Sequence, residues 1–376
     1  MRGTVEGAPA IWKRITGLLL LLAAVLVFVS KDAFLYSDTI VKVMSVENTF
    51  AFSNQGPNEE EEQYYEQAIE GRILNGADIG AVISLSNTYS SSGVNDERYR
   101  KGDQLFVTIS KGNGTGMIIG KKRDVYLVLL IGMFLFALFV INRWQGGIIF
   151  VSLIINIGIF LIALMCYGQG GNLIRISMLL MMVFSVLTLL FAGGFHKKTA
   201  VAIVSTLFTT LLCYFIYEIV LHTSDRLPYE MMDYVVNPTD LSDLFFAGVL
   251  MGSLGAIMDV CISIAAGVSE IMIQTPDIGR KPLVRSIREM GYDIMGTMIN
   301  VLFFTYISGS LPILVIKIKN SYTLYHLIQF QSIFEIIRFL MGAIGIVLAI
   351  PVSGMCSVLI LHSRRFEDGN MVKEQK

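Results

Sequence analysis

The sequence predicts an all-α polytopic membrane bundle of about eight transmembrane helices, with a small β-rich extracellular domain after the first helix. Of the 376 residues, 54% are hydrophobic and 16% are charged, whereas soluble domains are about a quarter charged. The apolar residues fall into blocks of about 20, the helix length that crosses the hydrocarbon layer of a bilayer. Residues 31–123 are the long polar stretch between such blocks, and short segments within them alternate as β-strands do.

Eight apolar blocks are candidate spans, and together they divide the chain. They cover residues 13–30, 124–142, 147–166, 176–194, 199–221, 243–268, 294–316 and 336–362. The first block resembles a signal peptide, but residues 30–33 lack a small-x-small cleavage pattern, which favours an uncut anchor over a cleaved signal. The predicted parts are therefore a tail and anchor (1–30), the outer domain (31–123), a seven-helix membrane domain (124–362) and a tail (363–376).

The distribution of positive charge predicts the orientation of the spans. With the N-terminus inside, the cytoplasmic segments hold fourteen Lys and Arg residues, and the short outer loops hold four. Short cytoplasmic loops carry an excess of Lys and Arg. Lys121, Lys122 and Arg123 would lie outside, but they end a long translocated domain, where this rule is weak. We therefore expect a plasma-membrane protein with both termini in the cytoplasm and residues 31–123 outside the cell.

The outer domain is predicted to be a small β-barrel or β-sandwich. Its β-like segments cover residues 36–44, 68–74, 78–86 and 103–109. In the third segment Ile79, Ala81 and Ile83 alternate onto one face. The acidic run 59–62 is interpreted as a solvated loop, with cation binding as the alternative.

Several classes of function are not indicated by the sequence. A net charge of −1 gives no basic footprint for nucleic acid, and all four cysteines lie in apolar blocks, away from the outer domain. The chain has no His-Glu-x-x-His, Gly-x-Ser-x-Gly or phosphate-binding loop motif. Tyr292-Asp293 is similar to half of an intramembrane aspartyl protease pair, but the companion Gly-x-Gly-Asp is absent. We predict no enzyme, no catalytic residue, no metal site, and no cofactor other than a coupling Na⁺ or proton.

Polar groups inside the predicted spans mark the candidate site. Inside a bilayer they are costly and face a partner or a cavity. At 1.5 Å per residue, Asp259, Asn300 and Pro351 lie about 13, 10 and 15 Å from the inner ends of their spans. Pro351 lacks an N–H and frees the carbonyl of Val347. With Ser353, these groups predict a Na⁺ site or a proton relay between spans six, seven and eight. The alternative is a polar cluster that locks the helices together.

Small and polar residues recur every three to four positions in these spans, as on faces where membrane helices approach closely. The faces are Gly248, Gly252, Gly255, Asp259, Ser263 and Gly267 in span six, Asp293, Thr297, Asn300, Phe304 and Ser308 in span seven, and Glu335, Arg338, Gly342, Gly345 and Ala349 in span eight. We expect the three faces to meet. Glu335 and Arg338 are spaced i,i+3 near Ser308, Ser310 and Pro312, and a structural ion pair is favoured over a gate.

Residues 269–293 predict an amphipathic loop-helix on the cytoplasmic side. Leu283, Ile287 and Met290 share its apolar face, and its cations suit contact with anionic lipid. A coupling helix for a cytoplasmic partner is the alternative. Glu270 and Asp293, near the two ends of this segment, are assigned structural or gating roles.

Ordered blocks in the last third of the chain resemble the YibE/F-like family of bacterial membrane proteins. They are 252–260 (GSLGAIMDV), 263–271 (SIAAGVSEI), 291–300 (GYDIMGTMIN), 308–312 (SGSLP), 335–338 (EIIR) and 342–351 (GAIGIVLAIP), within a core of 244–355. The outer domain makes the chain similar to the long, YibE-type member. In Gram-positive bacteria that member is often encoded beside a shorter one, so the resemblance implies pairing with a shorter paralogue, or self-association. It implies no biochemical activity.

These observations favour a membrane transporter or ion-coupled permease component over other functions. The alternative is a non-transporting sensor or scaffold, which acts through its extracellular β-domain and a partner subunit. A water-accessible cavity that reaches Asp259 would favour transport. A dry, packed core with a ligand-binding outer domain would favour the sensor.

Overall fold

The computed structural model describes residues 8–55, 61–76, 78–93, 96–109, 115–223 and 241–362. The predicted tail 363–376, most of the predicted outer loop 222–243 and part of the acidic run 59–62 lie outside these ranges. The chain folds as two compact units, Met1–Gly147 and Ile148–Lys376. Within the described ranges, eight helical segments are long and apolar enough to cross a membrane, which agrees with the eight predicted spans.

The first unit contains a closed five-stranded barrel between two helices, α1 (Ala8–Ser30) and the start of α2 (Asp124–Gly168). Its strands are β1 (Thr39–Gln55), β2 (Glu61–Ile73), β3 (Val82–Ser90), β4 (Gln104–Ile109) and β5 (Thr115–Lys121), in the order β1-β2-β3-β5-β4. β4 pairs with β1 to close the barrel, and the β3–β5 pair is parallel. Val41, Ile69 and Leu105 are fully or almost fully buried at its centre. The structure therefore confirms the barrel rather than the sandwich.

Three details of the barrel correct the prediction. β3 begins at Val82, because Gly80 has a φ of +88° and forms a turn that leaves Ile79 and Ala81 exposed. Glu61 and Glu62 belong to β2 and not to a loop. β5 was not predicted, since its glycines interrupt the apolar alternation. A Cβ at Gly116 would lie 2.5 Å from Val107, so the close approach of β4 and β5 requires glycine there.

A buried ion network joins the barrel to both helices of the first unit. The ammonium of Lys122, whose side chain is 1% exposed, lies 2.5 Å from Asp32 and 3.3 Å from Asp124, and donates to the carbonyl of Val29 at the end of α1. Tyr36 donates to Asp124 over 2.5 Å, and this hydrogen bond raises the pKa of Tyr36 to about 12. Lys122 therefore contacts α1, the segment before β1 and the first residue of α2.

The other two cations beside Lys122 are also paired. Lys121 lies 2.9 Å from Asp103, and Arg123 lies 3.1 Å from Glu97. The charge rule alone would place the run Lys121–Arg123 on the cytoplasmic side. Each of its three cations is instead paired with a nearby carboxylate.

The second unit is a bundle of long helices. They are the later part of α2 (Asp124–Gly168), α3 (Leu173–Gly193), α4 (Lys197–Thr223), α5 (Leu241–Gln274), α6 (Arg280–Lys319), the single turn α7 (Leu324–Leu327) and α8 (Ile333–Ser357). α2 holds two predicted spans in one continuous helix. A Cβ at Gly146 would lie 2.7 Å from the carbonyl oxygen of Leu138, whereas a straight helix rises about 12 Å over eight residues. α2 therefore bends sharply before Gly146.

The predicted loop-helix 269–293 is not a separate element. α5 continues to Gln274, and α6 begins at Arg280, with Gly279 before it and Pro282 in its first turn, where proline is tolerated. The amphipathic pattern itself is confirmed, since Leu283 and Ile287 are buried and the side chain of Arg285 is 82% exposed.

α5 is the central helix of the bundle, with neighbours α3, α4, α6 and α8. Glycines let the helices approach closely. A Cβ at Gly345 of α8 would lie 2.8 Å from Ile257 of α5, and one at Gly342 would lie 2.5 Å from Leu302 of α6. Ser353 of α8 donates to the carbonyl of Cys261 of α5 over 3.1 Å. These contacts fix the face that α5 turns toward α8.

Replacing Lys122 tests the ion network that joins barrel and helices. Lys122→Met leaves Asp32 buried without its cation, and removal of one partner of a buried pair costs about 3–5 kcal/mol. The exposed Arg123 is the matched control, because Arg123→Ala removes a surface pair worth about 0–1 kcal/mol. We expect guanidinium unfolding of the full chain in detergent to separate the two variants clearly. Equal stability of both would contradict the role given to Lys122.

Candidate functional site

The small and polar face of α5 is uncovered along much of its length. Gly248, Gly252, Gly255, Asp259 and Ser263 are all exposed. The opposite face is buried, and its residues include Phe245, Val249, Ile257, Val260, Cys261 and Ile264. The predicted stripe therefore exists on α5 as one continuous exposed face.

α6 crosses this face and touches it at two places. A Cβ at Gly252 would overlap the hydroxyl of Tyr306, and one at Gly267 would lie 2.7 Å from the sulfur of Met290. These contacts are fifteen residues apart along α5, about 22 Å. Between them, the Cβ position of Gly255 has no described atom within 4 Å beyond its own helix. We call this space, between residues 252–267 of α5 and 290–306 of α6, the α5–α6 gap.

Asp259 carries the ionisable group on the exposed face of α5, between the two contacts with α6 that bound the α5–α6 gap. It lies eighteen residues from the start of α5 and fifteen from its end, about 27 and 22 Å. Its exposed carboxyl makes no hydrogen bond or ion pair with any described residue. A carboxylate in such a position can take up a proton or a hard cation.

Two polar atoms without partners lie at one end of the α5–α6 gap. Arg338 is held 2.6 Å from Glu335, with its guanidinium 5.2 Å from the ring centre of Phe245. Its Nε and the hydroxyl of Tyr306 are buried and lack a hydrogen-bond partner among the described residues. Arg338 lies 3.8 Å from the Cβ position of Gly248, one turn of α5 from the contact of Tyr306 with Gly252. The predicted Glu335–Arg338 ion pair is thus present.

Comparison with known families adds a second line of observation. A model described as YibE/F-like protein matches residues 130–363, and one described as YibE/F family N-terminal domain matches residues 34–121. The chain belongs to the YibE/F family. The first match extends the predicted core 244–355 to the earlier spans, and the second covers the barrel. In the same comparisons, no curated protein and no solved structure matched.

Two residues predicted to join Asp259 of this YibE/F-family chain lie elsewhere. Asn300 is exposed on the face of α6 opposite to Met298 and Leu302, which pack into the bundle, and its amide donates to the carbonyl of Gly296 over 2.7 Å. Ser353 is fully buried and is used by its hydrogen bond to Cys261. Neither Asn300 nor Ser353 therefore lies in the α5–α6 gap.

Val347 and Pro351 lie on a third surface. Both are exposed on α8 and line an apolar groove of about 690 Å³ between α6 and α8, opposite Gly291 and Met295. The predicted ligand set Asp259, Asn300, Ser353 and Val347 is therefore not brought together. The expectation that the three faces meet is wrong for α6, because its apolar residues take the inward positions.

The remaining polar residues mostly bind within their own helices. Ser308 and Ser310 donate to the carbonyls of Thr305 and Tyr306, and Glu270 accepts from Gln274 over 2.8 Å. Asp293 shares the exposed face of α6 with Thr297 and Asn300, and Pro312 lies inside α6. The described part of the chain holds no group of three His, Cys, Asp or Glu side chains that could bind a metal ion.

Tyr306 was not identified from the sequence. An aromatic residue in an apolar span is usually a packing residue, but a tyrosine hydroxyl inside a span needs a hydrogen-bond partner. Tyr306 lies on the inward face of α6, four residues after Leu302. The four-residue spacing from Leu302, together with the hydroxyl group, is the sequence signal that could have identified Tyr306.

Proposed function

We propose that this YibE/F-family protein is inserted in the bacterial plasma membrane and acts in ion-coupled transport, with Asp259 as the group that carries a proton or Na⁺. The observation that supports this is the exposed carboxyl of Asp259, without a partner, halfway along an apolar helix. Charged groups at such depth are costly unless they face a cavity, a counter-charge or water. The alternative of a structural lock requires a partner for Asp259, and none is found among the described residues.

The arrangement of the α5–α6 gap suits a small hydrophilic solute. The glycines of α5 leave room, and Asp259 supplies a negative charge. At the other end, the buried Tyr306 hydroxyl and Arg338 Nε have no hydrogen-bond partner among the described residues. Arg338 is partly neutralised by Glu335, so that end can orient a polar solute while the charge change occurs at Asp259.

Replacing Asp259 by Asn tests the proposed role. Binding of Na⁺ at a hundred times its Kd would stabilise the fold by about 2.7 kcal/mol. The melting temperature of the wild type in detergent should therefore shift with Na⁺ or with pH. Asp259→Asn keeps the shape, so it should fold and lose the shift. Asn300→Ala is the matched control, because Asn300 faces away from the gap, and it should retain the shift. Identical curves for all three proteins, across salts and pH, would remove the support for an ion site.

A sensor or scaffold is the second candidate function, and the ion network at Lys122 favours it. The barrel is tied to α1 and α2 by buried charges, so a ligand on the barrel could alter how these helices pack. In that case binding of a ligand to the barrel would change the packing of α1 and α2, and Asp259→Asn would not affect this change.

We further propose that both termini are cytoplasmic and the barrel is extracellular, on the basis of the fourteen-to-four distribution of Lys and Arg. Ile79 and Arg285 are well exposed sites for a test. In a chain without its native cysteines, an impermeant maleimide should label Ile79→Cys in intact cells. Arg285→Cys should react only after the membrane is opened. Labelling of Arg285→Cys from outside would reverse the orientation.

A partner subunit is proposed to cover the outer face of α6. Asp293, Thr297 and Asn300 are exposed there, and polar side chains that face lipid are unfavourable. The shorter family member implied by the sequence resemblance is the proposed partner, since its spans would have the same small-residue faces. A chain that is strictly monomeric and active in mild detergent would contradict this proposal.

A further inference from the structure

Two adjoining cavities form a groove on the surface of the barrel. One, of about 460 Å³, is lined by residues of β1 and of the segment 98–101. The other, of about 580 Å³, is lined by Tyr65, Tyr89 and residues 90–93. Asn48 and Arg98 line both cavities, so the two lie side by side. Each volume is in the range of about 300–1,000 Å³ that is typical of ligand pockets. We call them together the barrel groove.

Three cations line the first cavity of the barrel groove, and one of them, Arg98, also lines the second. Arg98, Arg100 and Lys101 are exposed, and none makes an ion pair with a described residue. The neighbouring run Lys121–Arg123, by contrast, is fully paired. Arg98 lies over the ring of Tyr89, at 5.5 Å from its centre, and both residues line the second cavity. Guanidinium groups match carboxylate and phosphate in geometry as well as charge.

The segment that carries these cations is fixed from inside the barrel. Gln67 is 1% exposed, accepts from the backbone N–H of Tyr99 and donates to its carbonyl, each over 3.0 Å. Tyr99 is itself buried. Successive residues of an extended segment point to opposite sides. Because Tyr99 points into the barrel, Arg98 and Arg100 point outward. The cations are thus held in place before any ligand arrives, which lowers the cost of binding.

The second cavity of the barrel groove is lined by residues with hydroxyl groups, which are Tyr65, Tyr89, Ser90, Ser91 and Ser92. Ser90 bonds to Asp96, and Ser92 bonds to Glu62. The hydrogen bond from Ser92 lowers the pKa of the Glu62 carboxyl. Hydroxyl groups of a ligand can exchange hydrogen bonds with the serine and tyrosine hydroxyls that line this cavity. The groove therefore matches a ligand with an acidic group at one end and hydroxyl groups at the other.

An extended peptide is a weaker match, although β1 after Val43 has no strand partner among the described residues on the side away from β2. Strand addition requires a regular ladder of backbone groups. β1 has irregularities in its register between Val43 and Ser45 and again between Phe50 and Phe52. Such bulges are a common way to prevent pairing at an edge.

We propose that the barrel groove binds an anionic saccharide chain. Its carboxylate or phosphate groups lie against Arg98, Arg100 and Lys101. Its hydroxyl groups bond to Asn48 and to the polar residues 90–92. The barrel groove is separate from Asp259. A negative result at the groove leaves the proposal for the α5–α6 gap unchanged, and a negative result at Asp259 leaves the proposal for the groove unchanged.

Calorimetric titration of the full chain in detergent with oligogalacturonate tests the proposal. We expect binding that weakens with salt and falls at least about tenfold in Arg98→Ala/Arg100→Ala, because two charge-assisted contacts are lost. Arg72→Ala is the matched control, since Arg72 is an exposed cation on β2 that does not line the groove. It should bind like the wild type.

Two further probes separate a saccharide site from simple charge attraction. A polyglutamate of equal length has the same charge without the sugar hydroxyls and should bind about tenfold more weakly or worse. Neutral dextran should not bind. Equal affinity for polyglutamate, affinity for dextran, or full retention of binding in the double variant would each overturn the proposal.

Discussion

The contact between α5 and α8 determines where the candidate site can form. In an apolar environment, helices gain little from burial of apolar surface and rely on close packing and interhelical hydrogen bonds. Gly345 admits Ile257, and Ser353 donates to the carbonyl of Cys261. Ile257 and Cys261 lie two residues before and after Asp259, so they point to the opposite side of α5. The packing of α5 on α8 therefore leaves Asp259 on the free side, in the α5–α6 gap.

Much of the architecture could be predicted because long apolar helices and alternating strands leave clear patterns in a sequence. Eight apolar blocks correspond to eight helical segments, and the alternation in residues 36–109 indicated a β-domain. The errors have local causes. β5 is interrupted by Gly116 and Gly120, and the turn at Gly80 shortens β3. α6 absorbs the amphipathic segment because a helix with Leu283 and Ile287 inward can continue without a break.

The candidate site was predictable on one helix and not between helices. The recurrence of small residues every three to four positions located the face of α5 that carries Asp259. The rotation of α6 about its own axis depends on Met298, Leu302 and Tyr306 fitting the bundle, and a pattern of polar residues does not contain that information. Asn300 therefore faces outward. Ser353 has a backbone partner that no spacing rule could reveal.

Exchange of a proton or Na⁺ at Asp259 requires that water reaches the α5–α6 gap. The reactivity of an introduced thiol measures the access of water directly. Gly255→Cys, in a chain without its four native cysteines, places a thiol beside Asp259. Thiosulfonates react with the thiolate, which forms in water. We predict that a small charged thiosulfonate modifies Gly255→Cys in native membranes and leaves Ser353→Cys, at a fully buried position, unmodified. Modification of Gly255→Cys by an apolar maleimide alone would show that this face meets lipid or protein, and would contradict the account.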